Sequence, residues 1–260
     1  MADYEFCRVE KDEHLWVVTI ARPERMNSLH PPANEELHKV FNDFAADDDA
    51  WVAIITGEGE RAFCAGNDLR YQAEGHKITV PSSGFAGLTS RHDLLKPVIA
   101  AVNGVAMGGG FEIALACDVL IASESARFAL PEPRVGLAAL AGGLQRLPRQ
   151  IPLKQAMGMI LTGRHVPAEE GKALGFVNEV VPAAELLARA RHWASEMMAC
   201  SPMSLRASKQ VAYQNLNEAD LARASDNSRY DAVGAMMKSE DMIEGPKAFA
   251  EKRRPQWKGR

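Results

Sequence analysis

Two glutamates stand beside runs that shape the backbone: Glu112 in Gly108-Gly109-Gly110-Phe111-Glu112, and Glu132 in Leu130-Pro131-Glu132. A further small-residue turn, Phe63-Cys64-Ala65-Gly66-Asn67-Asp68, lies upstream. Two carboxyl groups can take up and release protons, and two tight turns can offer backbone N–H groups to a developing oxyanion. Proton exchange at the α-carbon of a carbonyl compound needs that combination. Glycine allows close backbone approach to a ligand, and an N–H at a helix N-terminus points outward with the positive end of the dipole behind it. The same glycines would equally serve a turn that only packs closely. Glu112 could be a charge complementing a helix terminus, and Glu132 a loop acid in solvent, although Pro131 and Pro133 restrict its backbone. Spacing alone leaves open whether the two carboxyls meet.

The elements that must position these residues alternate over the first two thirds of the chain. Residues 14–20 are rich in β-branched and aromatic side chains and read as a strand. Residues 32–47 carry Leu37, Val40, Phe41 and Phe44 at helical spacing. The apolar runs 51–56, 97–102 and 119–122 read as strands buried on both faces of a largely parallel sheet, and 111–117 reads as a helix. This rhythm predicts an α/β core. Residues 71–90, with Gly75, Pro81, Gly84 and Gly87, read as a loop and a candidate lid. Beyond about residue 181 the pattern is helical, over 184–198, 202–215, 218–237 and 240–252. The expected organisation is an α/β core over 1–195 and a helical region over 196–260.

Composition narrows the function classes. A hydrophobic content of 47% with 25% charged residues is ordinary for a globular chain of 260 residues. The net charge of −4 leaves no basic stripe for nucleic acid. No run approaches the roughly eighteen apolar residues of a membrane span. Neither the N-terminal Met1-Ala2-Asp3-Tyr4-Glu5 nor the C-terminal Lys258-Gly259-Arg260 matches an address signal, so a cytoplasmic protein is expected. Cys7, Cys64, Cys117 and Cys200 are scattered and read as reduced thiols.

Four stretches resemble the enoyl-CoA hydratase/isomerase (crotonase) family. They are Arg22-Pro23-Glu24-Arg25-Met26-Asn27-Ser28-Leu29, then Phe63 through Leu69, then Lys96-Pro97-Val98 running to Glu112, and Pro131-Glu132. The resemblance implies a crotonase-like fold of repeated ββα turns, a helical C-terminus that forms a homotrimer or a hexamer of two trimers, and acyl-CoA substrates. No metal and no cofactor beyond the coenzyme A thioester is implied. The backbone N–H groups of Asn67 and Gly109 would hold the thioester oxygen. Glu112 and Glu132 would flank the Cα–Cβ bond. Coenzyme A contacts would fall on Arg25, Asn27, Leu29, Ala65, Asp68, Leu69 and Arg70, with Phe249 and Lys252 reaching a neighbouring subunit's adenine end. Arg25 and Arg70 read almost as well as solvated surface arginines.

Having both glutamates favours addition or elimination of water over double-bond isomerisation, which one carboxylate can support. A double-bond isomerase and an RNA-binding role stay as alternatives, the second disfavoured by the charge balance. A narrower likeness, in residues 84–89, 128–132 and 239–260, is to family members that dehydrate a trimethylammonium-bearing acyl-CoA. One residue departs from that pattern: Leu140 stands where those members carry an acid, and it would line the acyl pocket with apolar surface.

Overall fold

The computed structural model describes residues 4–260. Residues 1–3, part of the N-terminal stretch read above for address signals, lie outside the described residues. An antiparallel pair, β1 (Cys7–Asp12) and β2 (Leu15–Ile20), leads into helix α1 (Pro31–Ala46), whose Leu37, Val40, Phe41 and Phe44 are all buried. The next elements are β3 (Val52–Gly57), β4 (Ala62–Cys64), the short helix α2 (Leu69–Ala73), β5 (Val98–Val102), β6 (Val105–Met107) and α3 (Gly109–Ala116). They are followed by β7 (Val119–Ser123), β8 (Arg127–Ala129), α4 (Gly143–Gln150), α5 (Leu153–Thr162), β9 (Val166–Pro167), α6 (Ala168–Leu174) and β10 (Glu179–Val181). The chain ends in α7 (Leu186–Met198), α8 (Pro202–Asn215), α9 (Leu221–Ala224), α10 (Asp231–Met237) and α11 (Glu240–Ala250).

The strands form a six-stranded sheet in the order β1-β2-β3-β5-β7-β10 and a four-stranded sheet in the order β4-β6-β8-β9. Apart from the β1–β2 and β8–β9 pairs, all pairings are parallel. Each of the pairs β3–β4, β5–β6 and β7–β8 gives its first strand to the large sheet and its second to the small one. This is the expected ββα repeat, and it stacks the turns after β4, β6 and β8 beside one another. Alternation along the strands divides the apolar side chains between two cores. Trp16, Val18, Ala53 and Ile55 face the larger core, with α1 and α3. Leu15, Val17, Val52 and Ile54 face the second core, which α7 covers with Leu186, Ala190 and Ala194.

Three sequence expectations differ in detail. Position 195 falls inside α7, which belongs to the sheet's outer face; the break comes at Ala199–Ser201, where the Ser201 side chain caps α8. The single helix expected over 218–237 is interrupted, because the Asp220 and Asp226 side chains accept the N–H groups of Ala222 (2.9 Å) and Ser228 (3.1 Å) and restart the chain twice. Within 71–90, residues 71–73 complete α2, and Ser83 to Thr89 are buried against α1 rather than standing free as a lid. No helix of the described residues is long and apolar enough to cross a membrane.

Candidate active site

The glycine turn after β6 is built by close contacts. Gly108 has φ 52° and ψ −124°, a conformation open to glycine. A Cβ on Gly110 would collide with the Cys64 carbonyl, so α3 can settle onto β4 only with glycine there. A Cβ on Gly109 would lie 2.6 Å from Cε1 of Phe85, whose ring therefore covers the turn. The turn after β4 lies against the same place: a Cβ on Gly66, at φ 90°, would be 2.7 Å from the Met107 carbonyl oxygen and 3.1 Å from the Gly109 nitrogen.

Backbone pairing frees one N–H in each turn. Leu29 N–H donates to the Gly66 carbonyl (2.8 Å) and Asp68 N–H donates to the Leu29 carbonyl (3.0 Å). In a parallel bridge of this kind the residue between, Asn67, directs its own N–H to the other side. Gly109 is the first residue of α3, whose N–H has no acceptor one turn back. Among the described residues neither amide donates to a backbone carbonyl. The result is a pair of adjacent N–H groups, one of them at a helix N-terminus.

The two carboxyls approach this pair from different elements. Glu112, in the first turn of α3, is 3% exposed, and its Oε1 accepts the Gly143 N–H at 2.8 Å. Burial pushes its carboxyl up to about 7, against the pull of the Gly143 amide; Glu132 adds to the push, while the Ala141 amide and Arg146 oppose it. Glu132 opens a 3-10 turn (Glu132–Val135), and its Oε1 lies where a Cβ on Gly108 would come within 2.8 Å. Leu137 N–H donates to the Glu132 carbonyl (2.9 Å), and Arg134 Nε donates to the Thr162 carbonyl at the end of α5 (3.0 Å). The turn is thereby fixed, and Oε2 of the carboxyl is buried without a hydrogen-bond partner among the described residues. Burial raises its pKa too, with its own N–H opposing. A small apolar cavity of about 230 Å³ opens beside this turn, bounded by Leu130, Pro133, Ala139 and Leu144.

The remaining expected positions divide into two groups. Asn27 is fully buried at φ 54°; its Oδ1 accepts Arg22 N–H (2.9 Å) and its Nδ2 donates to the carbonyls of Glu58 (3.0 Å) and Ala62 (2.7 Å). Asp68 pairs with Arg22 (3.1 Å) and caps α2 through Tyr71 N–H (3.2 Å). Leu29 is a core residue. The side chains of these three are committed to holding the loops, which leaves only backbone atoms for a ligand. Ala65 and Arg25 are half-buried, and Leu69, Arg70, Phe249 and Lys252 are exposed. Leu140 is 76% exposed and stands on the rim of a cavity of about 830 Å³ that neither glutamate lines. Its side chain thus reaches that cavity's rim.

Cys64 is buried, its Sγ accepts the Gly66 N–H (3.4 Å), and burial pushes its thiol up to about 12, so it serves packing and not nucleophilic chemistry. Sequence reasoning missed Gly143, Phe85 and Arg146. The Gly142-Gly143 pair before α4 was the available signal, since it repeats the glycine-then-helix pattern of Gly108–Gly110.

Known proteins are similar to this chain along nearly its whole length. The enoyl-CoA hydratase/isomerase family model matches residues 10–260. Carnitinyl-CoA dehydratases of Proteus mirabilis and Escherichia coli are each 43% identical, over 248 and 251 residues, covering 94% of this chain and 94% of theirs. Among solved structures, an enoyl-CoA hydratase of Mycobacterium marinum superposes with a TM-score of 0.91 at 36% identity, over 98% of this chain and 99% of that one. A carnitinyl-CoA hydratase of Mycobacterium avium has a TM-score of 0.78 at 39% identity, over 99% and 100%. With the motifs, the ββα repeat and nearly the whole length matched, the chain belongs to the enoyl-CoA hydratase/isomerase family.

Proposed function

We propose that this protein is an enoyl-CoA hydratase, a hydro-lyase that reversibly adds water across the double bond of a 2-enoyl-CoA to give a 3-hydroxyacyl-CoA. The observation that carries this reading is the pair of raised carboxyls beside two free turn amides. Burial raises both carboxyls, Glu112 to about 7 with Glu132 adding to the push, so a proton is held here more readily than on ordinary carboxylates. Hydration needs one ionised and one protonated carboxyl at once. The ionised one takes a proton from water as oxygen bonds to Cβ, and the protonated one gives its proton to Cα. The amide N–H groups of Asn67 and Gly109 would donate to the enolate-like oxygen that develops on the thioester, a contribution of roughly 3–4 kcal/mol per donor in such sites.

The acyl chain would lie beside the Glu132 turn, toward the apolar cavity there. Arg25 and Arg70 suit the phosphates of coenzyme A, with Ala65 and Leu69 beside them. Phe249, 87% exposed, and Lys252 project from the end of α11 and would meet the coenzyme bound to another subunit. Exposed Leu216, Leu221, Ile243 and Phe249 on the C-terminal helices favour self-association through 196–260, as a homotrimer or a pair of trimers in the cytoplasm. No cofactor beyond the substrate's coenzyme A enters this scheme.

Loss of enoyl-thioester absorbance on crotonyl-CoA, with Glu112→Gln and Glu132→Gln in parallel, tests the proposal. Hydration by the wild type that is lost in both variants supports it. A folded wild type that binds acyl-CoA without hydrating it, or that shifts the double bond instead, overturns it. A second reading, carnitinyl-CoA dehydration, is favoured by the relatives at 43% identity. Turnover of crotonobetainyl-CoA in preference to crotonyl-CoA would establish that reading instead.

A further inference from the structure

Behind Glu112 stands a half-buried arginine that makes no ion pair among the described residues. Arg146 lies in the first turn of α4. Its Nη2 donates to the Thr89 carbonyl at 2.8 Å, and its guanidinium crosses Gly142 so closely that a Cβ there would strike Nη1. Both contacts lead into the site. Gly142 is followed by Gly143, whose N–H holds Glu112. Thr89 accepts the Phe85 N–H on its Oγ1 at 2.8 Å, and the Phe85 ring covers Gly109.

We propose that Arg146 is a positioning residue for the reaction, a single tie that fixes the Gly143 donor to Glu112 and the Phe85 cover of the oxyanion turn, and supplies the positive charge behind the Glu112 carboxyl. The inference rests on the two-carboxylate reading above. A cation left without a carboxylate partner in a half-buried place is costly unless it acts on something. Burial weakens its hold on its proton, while Tyr213, Cys117 and Glu112 strengthen it; of these three Glu112 is the one carboxyl. The groups facing Glu112 are Glu132 from the turn after β8, the amides of Ala141 and Gly143, and Arg146 from α4. Beyond Arg146, Asp118 is already paired with Lys209 at 2.7 Å and does not compete.

The test follows Glu112 itself, by carboxyl carbon NMR on glutamate-labelled protein with Glu112→Gln as the assignment, alongside turnover. Arg146→Gln should raise the Glu112 midpoint by about half a unit to one unit and carry the matching limb of the kcat/KM profile with it. Arg146→Lys keeps the charge but not the fork, so the midpoint should stay near wild type while kcat falls about tenfold with little change in KM. An unmoved midpoint in Arg146→Gln, or wild-type kcat in Arg146→Lys, overturns the inference. Should Arg146→Gln fail to fold, Arg146→Lys decides alone. A wild type without hydratase activity would count against the proposed function but would leave the titration readable.

Discussion

Glu112 and Glu132 face one site but are held in opposite ways. Glu112 sits on a regular helix, nearly sealed from solvent, with one carboxylate oxygen fixed by the Gly143 amide. Glu132 sits on a 3-10 turn between two prolines, where the backbone is fixed; its Oε2 has no hydrogen-bond partner among the described residues. The first carboxyl is held by a backbone amide, and the second is positioned through its turn. Hydration can use that asymmetry, since one group must hold a water steadily and the other must find the α-carbon of each new substrate.

Removing either carboxyl should be the largest single effect. Glu112→Gln and Glu132→Gln are each expected to lower kcat for crotonyl-CoA hydration by about 10²–10⁴, the usual worth of a positioned acid or base. If only one variant loses activity, the two are not partners and the comparison breaks. The glycines that set each carboxyl come next. Gly108→Ala introduces a Cβ at positive φ and presses on the Glu132 oxygen at 2.8 Å, whereas Gly143→Ala places one 3.0 Å from the Glu112 oxygen without a strained φ. The strain alone is worth about 1–2 kcal/mol, so Gly108→Ala should cut kcat by tenfold or more and exceed Gly143→Ala. The reverse order, in steady-state kinetics of both variants, would place the tighter tolerance at Glu112.

How far the site could be read in the sequence follows the same division. Gly108-Gly109-Gly110 and Glu112 lie within five residues on a strand–turn–helix pattern, so the turn and its carboxyl could be picked out locally, while their roles came from the family resemblance. The turn of Asn67 was visible as a run of small residues, but the choice of Asn67 within it rested on the family resemblance. The Gly143 amide and the Phe85 ring reach Glu112 and Gly109 from distant parts of the chain, and no local pattern reports such contacts. Strands β4, β6 and β8 have three residues each, too few to display a period, and so the small sheet went unseen although it carries all three site turns. The long buried strands β3 and β5 and helix α1 were plain for the opposite reason. For Leu140, a place in a motif does not give the direction of a side chain, and its 76% exposure was not legible in the sequence.

The cost of sealing Glu112 should be visible as stability. A carboxyl whose folded pKa is raised, from 4.5 to about 7, contributes most below the unfolded value and loses that contribution as pH rises through the folded one. Glu112→Gln removes the ionising group and should leave thermal stability unchanged near pH 4. It should raise stability by on the order of 2–3 kcal/mol at pH 8. Glu132→Gln, with its more open carboxyl, should gain less. Equal gains in denaturation curves at the two pH values would mean that the fold treats the carboxyls alike.

The smallest expected effect lies on the segment that joins the two supports. Leu140 falls between the Glu132 turn and the Gly143 donor, and its side chain points out to the cavity rim. A substrate carrying a trimethylammonium group needs an anion or an aromatic face near its cation, and leucine offers neither. Leu140→Asp should therefore improve turnover of crotonobetainyl-CoA relative to crotonyl-CoA by about two- to fivefold, the range of an exposed charge pair. Because neither carboxyl lines the cavity that Leu140 borders, the pH profile for crotonyl-CoA should not move. A shifted profile would tie the rim to Glu112 or Glu132 after all. An unchanged substrate ratio would mean that the cation is recognised elsewhere.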